Sequence, residues 1–339
     1  MSRVLLCFGE LLLRLGAPGR QMLLQSPQLD VHVGGAEANV AVSMARFGHA
    51  VSMLSVVPDN PLGEAASGEL RRYRVDTRHV RAGTGRMGLY FLVPGAIHRP
   101  SAVLYDRADS AFALTAASDF DWAQALDGIT DLHLSGVSPA LNANCAAACQ
   151  QGIDQARKRG IRVSFDGNYR AKLWETWNSD PAAITRGLMA GSDLIFADHR
   201  DIAIALGWTA PDGSPEQRIV AAAQAAFAAF PNLQRLATTV RIQHSVDHHA
   251  LSGVMVGRNG EVQRTPSYEI TPIVDRIGGG DAFAAGVLHG LFSGLSEAES
   301  LHFGIGAACL KHSIPGDSNL VGVDDVLAFV DQGRFDVKR

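Results

Sequence analysis

Apolar residues along this chain follow two alternating patterns. Short runs rich in β-branched and aromatic side chains predict strands over residues 4–9, 51–57, 132–134, 162–165 and 194–197. Between them, apolar positions recur every three or four residues and predict helices over 35–47, 62–73 and 142–159, with 281–292, 297–312 and 324–330 closing the chain. Short, mostly apolar strands alternating with helices imply an α/β fold, a mainly parallel sheet covered by helices on both faces.

Two regions break the rhythm. Residues 11–33 and 87–108 read as extended segments joined by Pro and Gly turns, so they predict a small β-sheet beside the main one. Such an insertion suits a lid over a ligand, and equally an edge decoration of the sheet. No repeat or long linker divides the chain, and residues 1–339 are expected to form one domain.

Composition changes this picture little. With 47% hydrophobic and 19% charged residues, the chain can bury a large core. A formal net charge of −4 without a run of one sign argues against nucleic-acid or anionic-membrane partners. No apolar run reaches a membrane span, and Glu10 and Arg14 stand where a signal peptide would be apolar, so a cytoplasmic protein is expected. Cys7, Cys145, Cys149 and Cys309 are too scattered for a disulfide framework, and Cys145 and Cys149 read as packing on one helix face.

Several apparent motifs fail on context. Gly83, Gly85 and Gly88 match G-x-G-x-x-G, but a strand-like Leu-Tyr-Phe-Leu-Val follows where a helix is required. There is no Walker A loop, H-E-x-x-H or G-x-S-x-G elbow. His244, His248 and His249 read as a solvated turn before a strand.

The sequence Asp275-Arg-Ile-Gly278-Gly279-Gly280-Asp281-Ala-Phe-Ala-Ala-Gly286 carries the strongest chemical signal. Consecutive glycines let backbone N–H groups approach a ligand, and the helix start adds partial positive charge, which together make an anion cradle. Asp281 in the first turn would lie beside the bound anion and could take a proton from an attacking hydroxyl. With an ordinary pKa of about 3.9 it would be ionised at neutral pH. The plain alternative is a glycine-rich turn with a first-turn acid.

This segment resembles the C-terminal signature of the ribokinase-like (PfkB) sugar kinase family, Asp-Thr/Pro-Val-Gly-Ala-Gly-Asp. Gly34-Gly35-Ala-Glu-Ala-Asn39-Val-Ala resembles the family's N-terminal Gly-Gly-x-x-x-Asn-x-Ala. The likeness extends over nearly the whole chain and is strongest to the kinases of 2-keto-3-deoxygluconate. It rests further on Leu132-His-Leu-Ser-Gly-Val137-Ser, on Asp166-Gly-Asn168-Tyr-Arg170, on Tyr90, on Tyr105-Asp-Arg107 and on Pro315-Gly-Asp317.

The resemblance implies that the γ-phosphoryl of ATP moves to a primary hydroxyl of 2-keto-3-deoxygluconate. Asp281 would be the base, and the amides of Gly278, Gly279 and Gly280 the anion hole. It assigns the sugar to Gly34, Gly35, Asn39, Tyr90, Tyr105, Arg107, Val137, Arg170 and Asp317, and the nucleotide to Asn168, Thr239, Gly278 and Gly280. The planar donor forks of Arg107 and Arg170 suit a substrate carboxylate, although either alone reads as an ion-pair partner.

ATP implies Mg²⁺. Where the family has Asn-x-x-Glu, this chain has Asp198-His-Arg-Asp201, so Asp198 and Asp201 become the metal candidates, with helix capping as the rival role for Asp198. No Lys-x-Gly follows the strand around Thr239 and Arg241. These departures leave open a kinase for another ketose or nucleoside, or a sugar-acid-binding regulator without turnover. An exposed apolar face on residues 11–15 is expected to find cover in a second subunit, giving a homo-oligomer through the lid.

Overall fold

The computed structural model describes residues 3–332. Its strands are β1 (Val4–Phe8), β2 (Leu12–Gly16), β3 (Asp30–Gly34), β4 (Ala50–Pro58), β5 (Asp76–Gly83), β6 (Gly88–Val93) and β7 (Ala102–Asp106), followed by β8 (Asp131–Ser135), β9 (Arg162–Asp166), β10 (Leu194–Phe196), β11 (Arg235–Gln243), β12 (His249–Gly257), β13 (Val262–Arg264) and β14 (Tyr268–Ile270). The large sheet runs β13-β12-β11-β10-β9-β8-β1-β4-β5, with β14 also on β12. From β11 through to β5 every pairing is parallel, and β12 to β14 add an antiparallel edge. A second sheet, β3-β2-β6-β7, is built from the two regions that broke the periodicity.

The side-chain period of two divides the core into two layers. On β1, Leu6 and Phe8 face one cluster with the helix Ala143–Lys158, while Leu5 and Cys7 face the other with the helices Ala36–Arg46 and Gly279–Phe292. All four cysteines are free and buried, in keeping with a packing role. Local chemistry sets the helix starts. Asn60 accepts from the amides of Leu62 and Gly63 ahead of Pro61, and Ser296 with Glu299 forms a capping box.

Two expectations need correction. The helix expected over 281–292 begins at Gly279, because Gly278 takes φ 79° and already serves as its N-cap. The segment 11–15 is not an exposed apolar face: Leu11, Leu12 and Leu13 are buried, Leu11 and Leu13 in the core cluster of the helices Ala36–Arg46 and Gly279–Phe292, and Leu12 against Tyr90 and Leu92. The exposed apolar side chains of that sheet are Val31 and Leu104, on its outer strands β3 and β7. Gly83 ends one strand and Gly88 starts another, so the G-x-G-x-x-G match opens no helix.

Candidate active site

Strand order reverses at β1, which has β8 on one side and β4 on the other. In open parallel sheets such a reversal leaves a crevice beyond the strands' carboxyl ends. The segments leaving β1, β8, β9 and β10 carry Glu10, Ser135 to Ser138, Asp166 to Arg170, and Asp198 to Asp201.

The glycine-rich turn enters this crevice from the helix Gly279–Phe292. A Cβ on Gly278 would stand 1.8 Å from the Asp317 carbonyl oxygen, so only glycine fits there. The site of a Cβ on Gly280, by contrast, is open, with nothing within 4 Å. Neither Gly280 nor Asp281 donates its N–H to a described backbone carbonyl, which leaves two orphan donors at a helix start. The Asp275 carboxylate fixes the turn by accepting from the amides of Ile277 and Gly316, both at 3.0 Å.

Asp281 is buried beside those amides, and Asn39 of the helix Ala36–Arg46 donates to its Oδ2 at 2.7 Å. Its pKa is not the ordinary one. Burial pushes it up to about 7, the Asn39 hydrogen bond and Arg170 oppose the rise, and the charges of Asp317 and Glu37 add to it. A base poised near neutrality is what a proton transfer at pH 7 calls for.

Residues of the small sheet reach into the same crevice. The Tyr90 hydroxyl donates to Asp317 Oδ2 at 2.6 Å, and burial beside Asp317 keeps the phenol far above its usual pKa. Arg14, the register partner of Tyr90 across β2 and β6, donates to Asp275 at 2.7 Å and pairs with Asp317 at 3.2 Å. Burial raises the pKa of Asp317, and Arg14 and Tyr90 partly offset this. Lys311 is fully buried beside this cluster, donates to the Ile314 carbonyl, and has its pKa lowered by burial to about 8. Gly34 and Gly35 form the floor. A Cβ on Gly34 would strike the Asp317 carboxylate at 2.3 Å, and one on Gly35 the Glu10 carbonyl at 2.3 Å.

Arg107 and Arg170 meet different carboxylates. Arg107 is buried and gives its Nε to Glu10 at 2.5 Å, and its field also reaches Glu37. Arg170 is exposed, and its only described side-chain hydrogen bond goes to the Tyr169 carbonyl. Its charge acts on Asp281, Asp166 and Asp201. Tyr105 lies opposite Tyr90 across β6 and β7, and it packs with Val137 on the apolar cluster around Leu173 and Trp174.

Asp198 and Asp201 form the capping box of the helix His199–Leu206. Both Asp198 oxygens are engaged by Arg200, through its amide and its guanidinium. Asp201 accepts from the Asp198 amide, and burial with the Asp198 charge pushes its pKa up to about 6. Asp166, at the end of β9, is raised well above the carboxylate range by burial and by Asp281 and Asp201. Asn168 follows it with φ 39°, and Thr239 is half-buried on β11. Arg241, two residues further along, has its pKa lowered by desolvation and by the nearby charges of Arg276, Arg200 and Arg170.

The crevice therefore also contains Glu37, Arg14, Lys311, Asp166 and Arg276, which the sequence reading assigned no role. Glu37 is buried and accepts from the Ser135 amide and the hydroxyls of Ser135 and Ser138, and a Cβ on Gly9 would overlap its carboxylate. Burial raises its pKa. An acid inside the Gly-Gly-x-x-x-Asn motif was the available signal. A cleft of about 250 Å³ opens beside Gly34, Asn39 and Asp317 without reaching Asp281.

A parallel sheet with a strand reversal, a helix start with two free amides and a buried acid next to it suit a phosphotransferase. The pfkB family carbohydrate kinase model matches residues 3–321, and the chain belongs to that family and is a kinase. The chain is 31% identical to a 2-dehydro-3-deoxygalactonokinase of Haloferax volcanii, over 96% of each protein. It is 26% identical to a 2-dehydro-3-deoxygluconokinase of Bacillus subtilis, over 87% of this chain and 85% of the relative. Among solved structures it resembles the 2-dehydro-3-deoxygluconokinase of Thermotoga maritima, with TM-score 0.91, 34% identity, and coverage of 97% of this chain and 99% of that one. Among the described residues no helix is long and apolar enough to cross a membrane.

Proposed function

We propose that this kinase transfers the γ-phosphoryl group of ATP to the primary hydroxyl of 2-keto-3-deoxygluconate, giving 2-keto-3-deoxy-6-phosphogluconate. The observation that carries the chemistry is Asp281, buried, poised near pH 7 and adjacent to the free amides of Gly280 and of Asp281 itself. The substrate class is supported by the names of the Bacillus and Thermotoga relatives. The Haloferax relative favours the galacto epimer as a second reading.

In this reading Asp281 removes the hydroxyl proton as the new P–O bond forms, and Asn39 holds the carboxylate in place. The amides at the helix start face the charge that develops on the transferred group, and they need no reorganisation to do so. Arg170, with its guanidinium largely unengaged, takes the substrate carboxylate, while Arg107, Tyr90, Tyr105, Val137 and Asp317 shape the sugar pocket. Arg241, Arg276 and Arg200 gather positive charge near Thr239, where the polyphosphate would lie in place of the missing lysine.

Mg²⁺ fits this crevice. Burial with the charges of Asp281 and Asp201 raises the pKa of Asp166, burial with the charge of Asp198 raises that of Asp201, and a hard cation held by the two acids would offset both costs. Asp198 is less suited, with both oxygens occupied by Arg200. When bound, the ion supplies charge neutralisation across the phosphate oxygens.

A coupled ADP-release assay over keto-deoxygluconate, keto-deoxygalactonate, fructose and ribose tests the substrate. The expected result is the highest kcat/KM on a keto-deoxy sugar acid, with the gluconate form above its epimer. Faster turnover on a neutral sugar overturns the assignment. The exposed Val31 and Leu104 on the small sheet support a homo-oligomer covered there, for which light scattering should give at least twice the 36.0 kDa chain mass. A monomer would refute it.

A further inference from the structure

The hairpin between β11 and β12 carries chemistry that the kinase reaction does not use. Its tip is closed by the His244 amide donating to the His248 carbonyl at 3.0 Å and by the Ser245 amide donating to the same oxygen at 3.1 Å. Gln243 pairs with His249, and Ile242 with Ala250. By the period of two, His244, His248 and Ala250 therefore point to one face of the sheet. Ala250 pairs in turn with Glu269 on β14, which places that carboxylate on the same face.

The side chains follow this geometry. His248 Nε2 lies 2.7 Å from Glu269 Oε2, and His244 Nε2 lies 3.9 Å from the same oxygen. The two imidazole rings are 4.6 Å apart between centroids. One ligand atom from each residue falls within 4.8 Å of the others. Only the His248 contact is a hydrogen bond; the His244 nitrogen stops short of the oxygen.

We propose that His244, His248 and Glu269 form a binding site for one divalent transition-metal ion of the Zn²⁺ type. Zinc takes imidazole nitrogen and carboxylate oxygen at about 2.0–2.2 Å, so an ion placed among these atoms needs only small side-chain rotations. Three protein ligands leave one tetrahedral position for water. The two nitrogen ligands separate this site from the all-carboxylate pair Asp166 and Asp201, because Mg²⁺ prefers oxygen ligands and binds imidazole poorly. All three side chains are at least 39% exposed, which gives the ion a route in.

The tip is braced from two sides. The Ile273 amide donates to the Asp247 carbonyl at 2.9 Å, and Arg20, in the connection between β2 and β3, pairs with the Asp247 carboxylate at 2.8 Å. The ligands thus sit on a preset backbone rather than on a free loop. Neither His244, His248 nor Glu269 belongs to the crevice around Asp281, so metal binding and turnover can be read independently.

The test is calorimetric titration of the tag-free, chelator-treated full chain with Zn²⁺ in millimolar Mg²⁺. One ion should bind per chain. His244→Ala and Glu269→Gln should each weaken binding by roughly tenfold or more, whereas His79→Ala, on β5, should leave it unchanged. Co²⁺ in place of Zn²⁺ should give the intense visible absorption of a tetrahedral site, and Glu269→Gln should lose it. Circular dichroism confirms folding of each variant, and the exposed Glu269 provides the test should His244→Ala fold poorly. Absence of saturable binding, or wild-type affinity in both ligand variants, overturns the proposal.

Discussion

Asp281→Asn should lower kcat by roughly 10²–10⁴-fold, the usual share of a general base. The amide keeps the size of the carboxylate and an oxygen for Asn39 to donate to, so packing is preserved. Thermal stabilisation by the sugar acid should therefore survive the substitution. The wild-type enzyme should show the same group in its pH profile. Only the ionised acid can accept a proton, so kcat/KM should rise with pH and level off above about 7, well beyond the range of an ordinary aspartate. Stopped-time assays from pH 5 to 9, paired with a thermal-shift titration, check both points. Full turnover in Asp281→Asn removes the base from the mechanism, and retained binding without ATP consumption by the wild type would favour a regulator.

Gly278→Ala should be damaging in a different way. The residue sits at φ 79°, where a side chain strains the backbone by about 1–3 kcal/mol, and the new methyl would overlap the Asp317 carbonyl. The turn has to move, and displacing amides by about 1 Å can cost roughly 10²-fold in rate. Gly280→Ala is the internal comparison, since open space surrounds that position. Differential scanning calorimetry should show a lower Tm for Gly278→Ala and little change for Gly280→Ala. Equal behaviour of the two would mean that the shape of the turn is not what positions the amides.

The central elements were legible because their cause is local. A strand buried on both faces writes a continuous apolar run, as in 194–197, and the glycines before Asp281 announce a special backbone by themselves. A strand after the His244 to His249 turn was legible too, but the antiparallel pairing of β12 to β14 was not, because it depends on turns and partners rather than on composition. The site was legible in its motifs and illegible in its partnerships. Arg14 meets Asp275 across 261 positions, and Asn39 meets Asp281 across 242, distances over which no periodicity speaks. The same holds for the pKa of Asp281, which looked ordinary in sequence and is set by burial, Asp317 and Glu37. Residues 11–15 show the converse error, in that an apolar stretch between turns was read as surface although the main core takes Leu11 and Leu13, and Tyr90 and Leu92 cover Leu12.

Arg14 and Tyr90 stand side by side on adjacent strands, and each holds an acid next to the glycine-rich turn. A swing of the small sheet away from the crevice would release both grips in one movement, loosening Asp275 and Asp317 together. The sheet and the free amides of the helix start are therefore geared to each other. Occupancy at one end should sharpen the fit at the other, so that the two substrates bind with positive synergy rather than independently.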